Sequence, residues 1–231
     1  MEQTNPNRPE IKVKIDRYEK DVLEYEKAPA KPGKIIFYGS SGFTRWKASY
    51  GNRPLEECII GKDGKPAAIN HGIGGSTVED ILYYYPRLVK AWKPRALVIT
   101  SYINDYACGY SPEEIMFLLA RLLADARTDM PGIKLYLTDV RPNAKHNDGY
   151  DKEWDDFTRT TNRLLKEYCA AHEDTALIEL SKEALYYKNK EDIGNYFKTN
   201  DDIFIEDKIH FTPEGYDLFA EAFNRALADI L

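Results

Sequence analysis

Short apolar runs alternate along this chain with longer segments of helical spacing, and that alternation restricts the fold more than any other feature. Ile35-Ile36-Phe37-Tyr38, Ala67-Ala68-Ile69-Asn70, Ala96-Leu97-Val98-Ile99-Thr100, Ile133 to Leu137 and Ala176-Leu177-Ile178-Glu179-Leu180 each have the length of a buried strand. Between them lie segments that open on helix caps. Thr77 is the expected N-cap of a helix over 77–91. Ser111-Pro112-Glu113-Glu114 joins a Ser cap, a first-turn proline and a glutamate at the third position, so a helix should run to about Asp129, where Met130-Pro131-Gly132 stops it. Residues 152–172 form the next helix, and Thr212-Pro213-Glu214 starts a last one that reaches Leu231. Strands that alternate with helices in this way read as βαβ units, which means a parallel sheet of about five strands with helices on both faces.

Ahead of this pattern, Ile11, Val13, Ile15, Tyr18, Val22 and Tyr25 recur at roughly helical spacing before Pro32-Gly33 breaks the chain. Residues 1–33 are therefore expected to be a helical N-terminal extension packed on a single domain formed by 34–231. The least regular part is 181–210, mixed in charge and aromatic content and expected to be functional or partly helical.

Composition narrows the function. Thirty-eight acidic residues against 32 basic ones leave a net charge of −6, which opposes a broad nucleic-acid surface. Cys58, Cys108 and Cys169 are odd in number and irregular in spacing, so neither a disulfide framework nor a zinc site is expected. The N-terminal residues are polar and lack the apolar core of a signal peptide. No run approaches the roughly 18 apolar residues of a membrane helix. A cytoplasmic protein without membrane contact is expected.

Open parallel α/β sheets bind ligands outside the carboxyl ends of their strands. Polar groups stand there after strand one (Ser40, Ser41), strand two (Gly74, Gly75, Ser76), strand three (Asn104, Asp105) and, through a long loop, strand five (Asp207, His210). Their chemistry is complementary. A serine hydroxyl needs a base to take its proton, histidine is the usual base, and an acid must hold the imidazole in the right tautomer. Backbone N–H groups in a glycine-rich turn and an asparagine amide can hold an oxyanion.

These segments resemble the conserved blocks of the SGNH, or GDSL-like, hydrolase family. Gly39-Ser40-Ser41 resembles the first block, in the branch where Ser replaces the Asp of G-D-S. Asn70-His71-Gly72-Ile73-Gly74-Gly75-Ser76-Thr77 resembles the second, Tyr102-Ile103-Asn104-Asp105 the third, and Asp207-Lys208-Ile209-His210 the fifth. The four come in family order over roughly 34 to 231. The resemblance implies a flavodoxin-like three-layer α/β/α fold and metal-free hydrolysis of esters or thioesters through an acyl-enzyme. It implies Ser41, His210 and Asp207 as the triad and Ser41, Gly75 and Asn104 as oxyanion donors, with no cofactor and no metal. Tyr102 departs from the family's glycine. A positive φ there would strain it, or its ring would narrow the pocket.

Bland readings stand beside each of these. Ser41 could only cap a turn, Asn104 could form an ordinary Asx turn, Gly75 could serve turn geometry, and His210 could lie on the surface. Asp105 is expected to support its loop by hydrogen bonding. His71, His146 and His172 are expected to be structural or exposed, His71 with a smaller claim to the pocket. Gly72-Ile73-Gly74 lacks the third glycine of a dinucleotide fingerprint, because Thr77 stands there. Tyr186, Tyr187, Tyr196 and Phe197 could stack on a sugar or acyl group, or only anchor their loop. The leading expectation is a serine esterase acting on short acyl esters, including acetylated carbohydrate, because no apolar lid for long lipid chains is evident. An acyl-thioester or lipid hydrolase and a degraded binding module of the same fold are the alternatives. Activity should rise with pH about a midpoint near 7.

Overall fold

In the computed structural model, which describes residues 11–141, 143–146, 151–181 and 201–231, five strands form one sheet in the order β2-β1-β3-β4-β5. They are β1 (Ile35–Gly39), β2 (Ala68–Gly72), β3 (Ala96–Thr100), β4 (Lys134–Thr138) and β5 (Thr175–Ile178), and every pairing is parallel. The helices are α1 (Glu19–Glu26), α2 (Ser41–Thr44), α3 (Leu55–Cys58), α4 (Val78–Leu88), α5 (Ile103–Ala107), α6 (Pro112–Asp129), α7 (Lys152–Ala170) and α8 (Pro213–Ala226). The result is the three-layer α/β/α architecture that the alternation of strands and helices predicts.

Successive residues of a strand face opposite sides of a sheet, and here both sides are apolar. Ile36, Tyr38, Leu97, Ile99, Leu135 and Leu137 join α4, α6 and α7 through Ile81, Tyr84, Leu119, Leu122 and Leu165. The alternate residues Ile35, Phe37, Val98 and Tyr136 join Trp46, Leu55, Phe219 and Phe223 on the other side. Caps set the helix starts where the sequence places them. Thr77 and Asp80 form a reciprocal capping box on α4, Ser111 and Glu114 do the same on α6, and the Thr212 hydroxyl accepts from Gly215 N–H on α8.

The strand order reverses direction beside β1, and such a switch point opens a crevice at the carboxyl ends of the flanking strands. Register brings those ends level: Gly39 lies opposite Gly72 on one side and Thr100 on the other. Only glycine fits at 39, because a Cβ there would lie 1.9 Å from the Thr100 carbonyl oxygen.

Two local expectations change. The leading helix begins at Glu19, so Ile11, Val13 and Ile15 lie before it. Long-range contacts hold that strap instead. Lys12 reaches Gly109 O and Glu114, and Arg17 binds Asp80 at 2.6 Å. The second change is Tyr102. It takes φ +83°, the region that its glycine counterpart would occupy freely, and its side chain is fully buried in the core beneath α4, α6 and α7. A bulky residue there stores about 1–3 kcal/mol of strain. The buried ring compensates, since emptying an aromatic site costs about 3–5 kcal/mol. The Tyr102 hydroxyl has no hydrogen-bond partner among the described residues. Tyr102→Gly should therefore lower stability by about 1–4 kcal/mol despite relieving the backbone, while Tyr102→Phe should leave it unchanged or raise it. Thermal unfolding measures both, and a Tyr102→Gly protein more stable than its parent would overturn this account.

Candidate active site

Ser41 opens α2 directly after β1, where Ser40 N–H is held by the Thr100 carbonyl at 3.2 Å. Its hydroxyl lies 2.9 Å from His210 Nε2, and His210 Nδ1 lies 2.7 Å from Asp207 Oδ2. A carboxylate only accepts, so Nδ1 carries the proton and Nε2 is left to accept from Ser41 Oγ. The turn that joins Asp207 to His210 is built by the same carboxylate. Asp207 Oδ1 accepts Ile209 N–H at 2.9 Å and His210 N–H at 2.8 Å, and Lys208 adopts φ +58° between them. Ile205 N–H then holds the His210 carbonyl at 2.8 Å.

Opposite this row, the loops after β2 and β3 meet. Gly75 has φ +82°, a conformation for which glycine is needed. The backbone N–H groups of Ser41 and Gly75 donate to no acceptor among the described residues. Asn104 gives one amide hydrogen to Ser76 O at 2.9 Å, which fixes the side chain and leaves its second hydrogen to donate. Ser41, Gly75, Asn104 and His210 all line one cavity of about 520 Å³. The arrangement can pass a proton from serine to histidine and offer three donors to a charged oxygen.

Charges around the row are set by burial and by hydrogen bonds. Burial raises the Asp207 carboxyl, but the hydrogen bonds from His210 and Ile209 outweigh it and hold the group down at about 2. Burial also lowers His210. The Asp207 contact opposes this, and the nearby cations Arg141 and Arg45 reinforce it, so the ring titrates below its ordinary range. Burial and the two cations thus move the expected activity midpoint below the value near 7 that the sequence suggests.

Other sequence-stated residues fall elsewhere. His71 is buried against Leu88 O at 2.7 Å and Trp92, away from this cavity. Desolvation drops its pKa to about 4. His172 bonds Tyr168 O at 2.8 Å at the end of α7. Tyr102 is absent from the cavity wall, so a pocket-narrowing ring is not its role. Tyr186, Tyr187, Tyr196 and Phe197 lie outside the described residues. Sequence reading missed Tyr50, Tyr106, Arg141, Lys145 and Trp154, all of which line the cavity. Arg141 was accessible to the same rule as the rest: it follows the carboxyl end of β4, the one strand end passed over. Among the described residues no group of three or more His, Cys, Asp or Glu side chains is placed to hold a metal ion. No described helix is long and apolar enough to cross a membrane.

The family model of GDSL-like lipases and acylhydrolases matches residues 37–218. No curated protein matches the chain. Among solved structures it is similar to a GDSL-like lipase from Bacteroides thetaiotaomicron, at 19% identity and TM-score 0.67 over 94% of this chain and 100% of that one. It is also similar to a mutant of an acetyl-xylooligosaccharide esterase from Geobacillus, at 18% identity and TM-score 0.59 over 85% of this chain and 94% of that one. A lipase/acylhydrolase from Enterococcus faecalis gives 18% identity and TM-score 0.60 over 85% and 96% respectively. At these identities the likeness is one of fold.

The lowered His210 makes a signed prediction. Below its pKa the ring is protonated and cannot accept the Ser41 proton, so kcat/KM for an ester should rise with pH through a midpoint below the ordinary histidine value of about 6.5. A pH–rate profile measures this, and a midpoint clearly above that value would contradict the balance of charges described.

Proposed function

The chain belongs to the GDSL-like lipase/acylhydrolase family, and from that premise we propose that it is a serine esterase that removes short acyl groups, in particular acetyl groups from carbohydrate, through an acyl-enzyme. The observation that carries this reading is the unbroken row Ser41–His210–Asp207 with distances of 2.9 and 2.7 Å. In the proposed sequence His210 Nε2 takes the Ser41 proton as Oγ adds to the ester carbonyl. The N–H groups of Ser41 and Gly75 and the free amide hydrogen of Asn104 take the oxyanion. As the tetrahedral species collapses, His210 returns the proton to the departing alcohol. Water then repeats the two steps on the acyl-enzyme and frees the acid. The intact row also disfavours a degraded binding module.

The wall of the cavity supports the carbohydrate reading. Tyr50, Tyr106 and Trp154 present aromatic surface there beside polar groups, a combination that suits a sugar ring better than a long alkyl chain. Deacetylation of xylo-oligosaccharide is the stated activity of one structural neighbour. The second reading, a lipid or acyl-thioester hydrolase, draws on the neighbours described as lipases. A series of para-nitrophenyl esters separates the two: rates falling from acetate to longer chains support the first reading, and rates rising with chain length support the second.

Two substitutions test the roles. Ser41→Ala should lower kcat by about 10⁴-fold or more while the circular dichroism stays native, and a serine-directed phosphonate should label Ser41 alone in the unmodified protein. Labelling of another serine would sink the assignment. Asn104→Ala should cut kcat by about 10²–10³-fold with little change in KM, because an oxyanion donor acts mainly on the transition state. A loss confined to KM would make Asn104 a binding residue instead.

A further inference from the structure

One group in the cavity wall is not used by the chemistry proposed above. Arg141 is 5% exposed, yet no hydrogen bond or ion pair satisfies its guanidinium among the described residues, and its Nη1 is buried without a partner. The Phe211 ring lies 4.6 Å from Cζ, and Tyr216 and Asp207 act on the group only through space. A cation–π contact of that kind offsets only part of the several kcal/mol that a buried charge costs. Desolvation depresses the group to about 10, which still leaves it charged at neutral pH. A permanent buried cation with unused donors is an open half of an ion pair.

Its position says where the other half would come from. A Cβ added at Gly42 would lie 3.4 Å from Arg141 Nη1, so the head of the side chain sits over the residue that follows Ser41. On its other side it faces Phe211, the residue that follows His210. The guanidinium is thus flanked by the neighbours of both groups that handle the serine proton. In the proposed chemistry His210 returns that proton to the departing alcohol, and a cation beside the residue that follows it suits an anion carried on that alcohol. Arg45 and Lys145 line the same cavity, and no Asp or Glu does so among the described residues, although the chain as a whole carries −6. Arg45 is partly engaged, with Nη1 3.8 Å from Asp207 Oδ2. Asp207 itself is committed to His210.

Resting on the esterase reading, we infer that Arg141 is the centre of an anion subsite, ringed by Arg45 and Lys145, that binds a carboxylate on the alcohol portion of the ester. The planar fork of arginine matches a carboxylate through two parallel hydrogen bonds. An acidic sugar bearing an acyl group has this chemistry, whereas a neutral glyceride does not.

The test compares para-acetoxybenzoate with its neutral counterpart para-acetoxybenzamide, each rate corrected for alkaline hydrolysis. The unmodified protein should favour the carboxylate in kcat/KM by about 10–100-fold, the size of a charge-assisted hydrogen bond to a buried group. In Arg141→Gln this ratio should fall to near one. In Arg45→Gln and Lys145→Gln, where the cations lie nearer the rim, it should fall only several-fold. Arg141→Lys keeps the charge without the fork and should give an intermediate ratio, which guards against a glutamine variant that fails to fold. Equal rates for the two esters would overturn the subsite. So would a preference that survives Arg141→Gln, or one that appears only when the carboxylate is on the acyl side, as in phenyl hemisuccinate. If neither ester is cleaved, the esterase reading fails by itself. The subsite is then judged by calorimetric binding of the same two compounds to Ser41→Ala, where tighter binding of the carboxylate supports it and equal binding overturns it.

Discussion

The loops that carry the site converge on one buried carboxylate. Asp105 is fully buried and accepts Val78 N–H at 2.8 Å, Tyr102 N–H at 3.0 Å and the Ser101 hydroxyl at 2.9 Å. Val78 begins α4, three residues beyond Gly75, while Ser101 and Tyr102 form the turn that delivers Asn104. A single side chain therefore joins the loop after β2 to the loop after β3. Burial pushes its carboxyl up to about 6, against the hydrogen bonds that draw it down. At neutral pH the group is charged, and a charge so placed requires each of its donors. The same bond explains how a tyrosine persists at positive φ. Hydrogen bonds to charged groups are worth about 1.5–3 kcal/mol, comparable to the strain of the backbone they hold.

A second layer stiffens this junction from outside. Arg17 spans Asp80 at 2.6 Å and reaches Gly75 O at 3.4 Å, and a Cβ at Gly75 would meet Tyr18 Oη at 2.8 Å. Tyr25 Oη donates to Gly72 O at 2.6 Å. The strap before β1 thus presses on the glycine loop while lying far from Ser41 in sequence terms. On the opposite flank, Asp139 after β4 holds the Ser181 hydroxyl and N–H after β5. Burial raises Asp139 to about 6, as it does Asp105. Buried acids therefore tie the loops after β2 and β3 to each other, and likewise the loops after β4 and β5.

Much of this was readable from residue order, because local chemistry decided it. Thr77, Ser111 and Thr212 are capping residues whose side chains bond three residues away, so the helices start where the sequence says. The apolar runs became strands because both faces of a parallel sheet are covered. Ser41, Gly75, Asn104, Asp207 and His210 could be named together because each follows a strand end or shares one short turn, and topology alone carries such positions to one edge.

What residue order left open depended on distant partners. The pattern Ile11, Val13, Ile15 suits a helix, but Lys12 and Arg17 bind acids 102 and 63 positions away, and those bonds hold the strap before the helix. Tyr102 was ambiguous between pocket and core until packing put its ring in the core on the α4, α6 and α7 side of the sheet. Arg141 also follows a strand end, but residue order does not show that its charge is buried. It is the enclosure by Gly42 and Phe211, and the lack of any Asp or Glu among the described residues of the cavity wall, that make it exceptional. The sequence by itself determined the layer architecture and the members of the hydrogen-bonded row Ser41, His210 and Asp207, since caps, apolar runs and strand ends act over a few residues. Only the tertiary structure decided which charges are buried, which are paired and that His210 is lowered, because desolvation and Coulomb energy depend on neighbours that chain order does not specify.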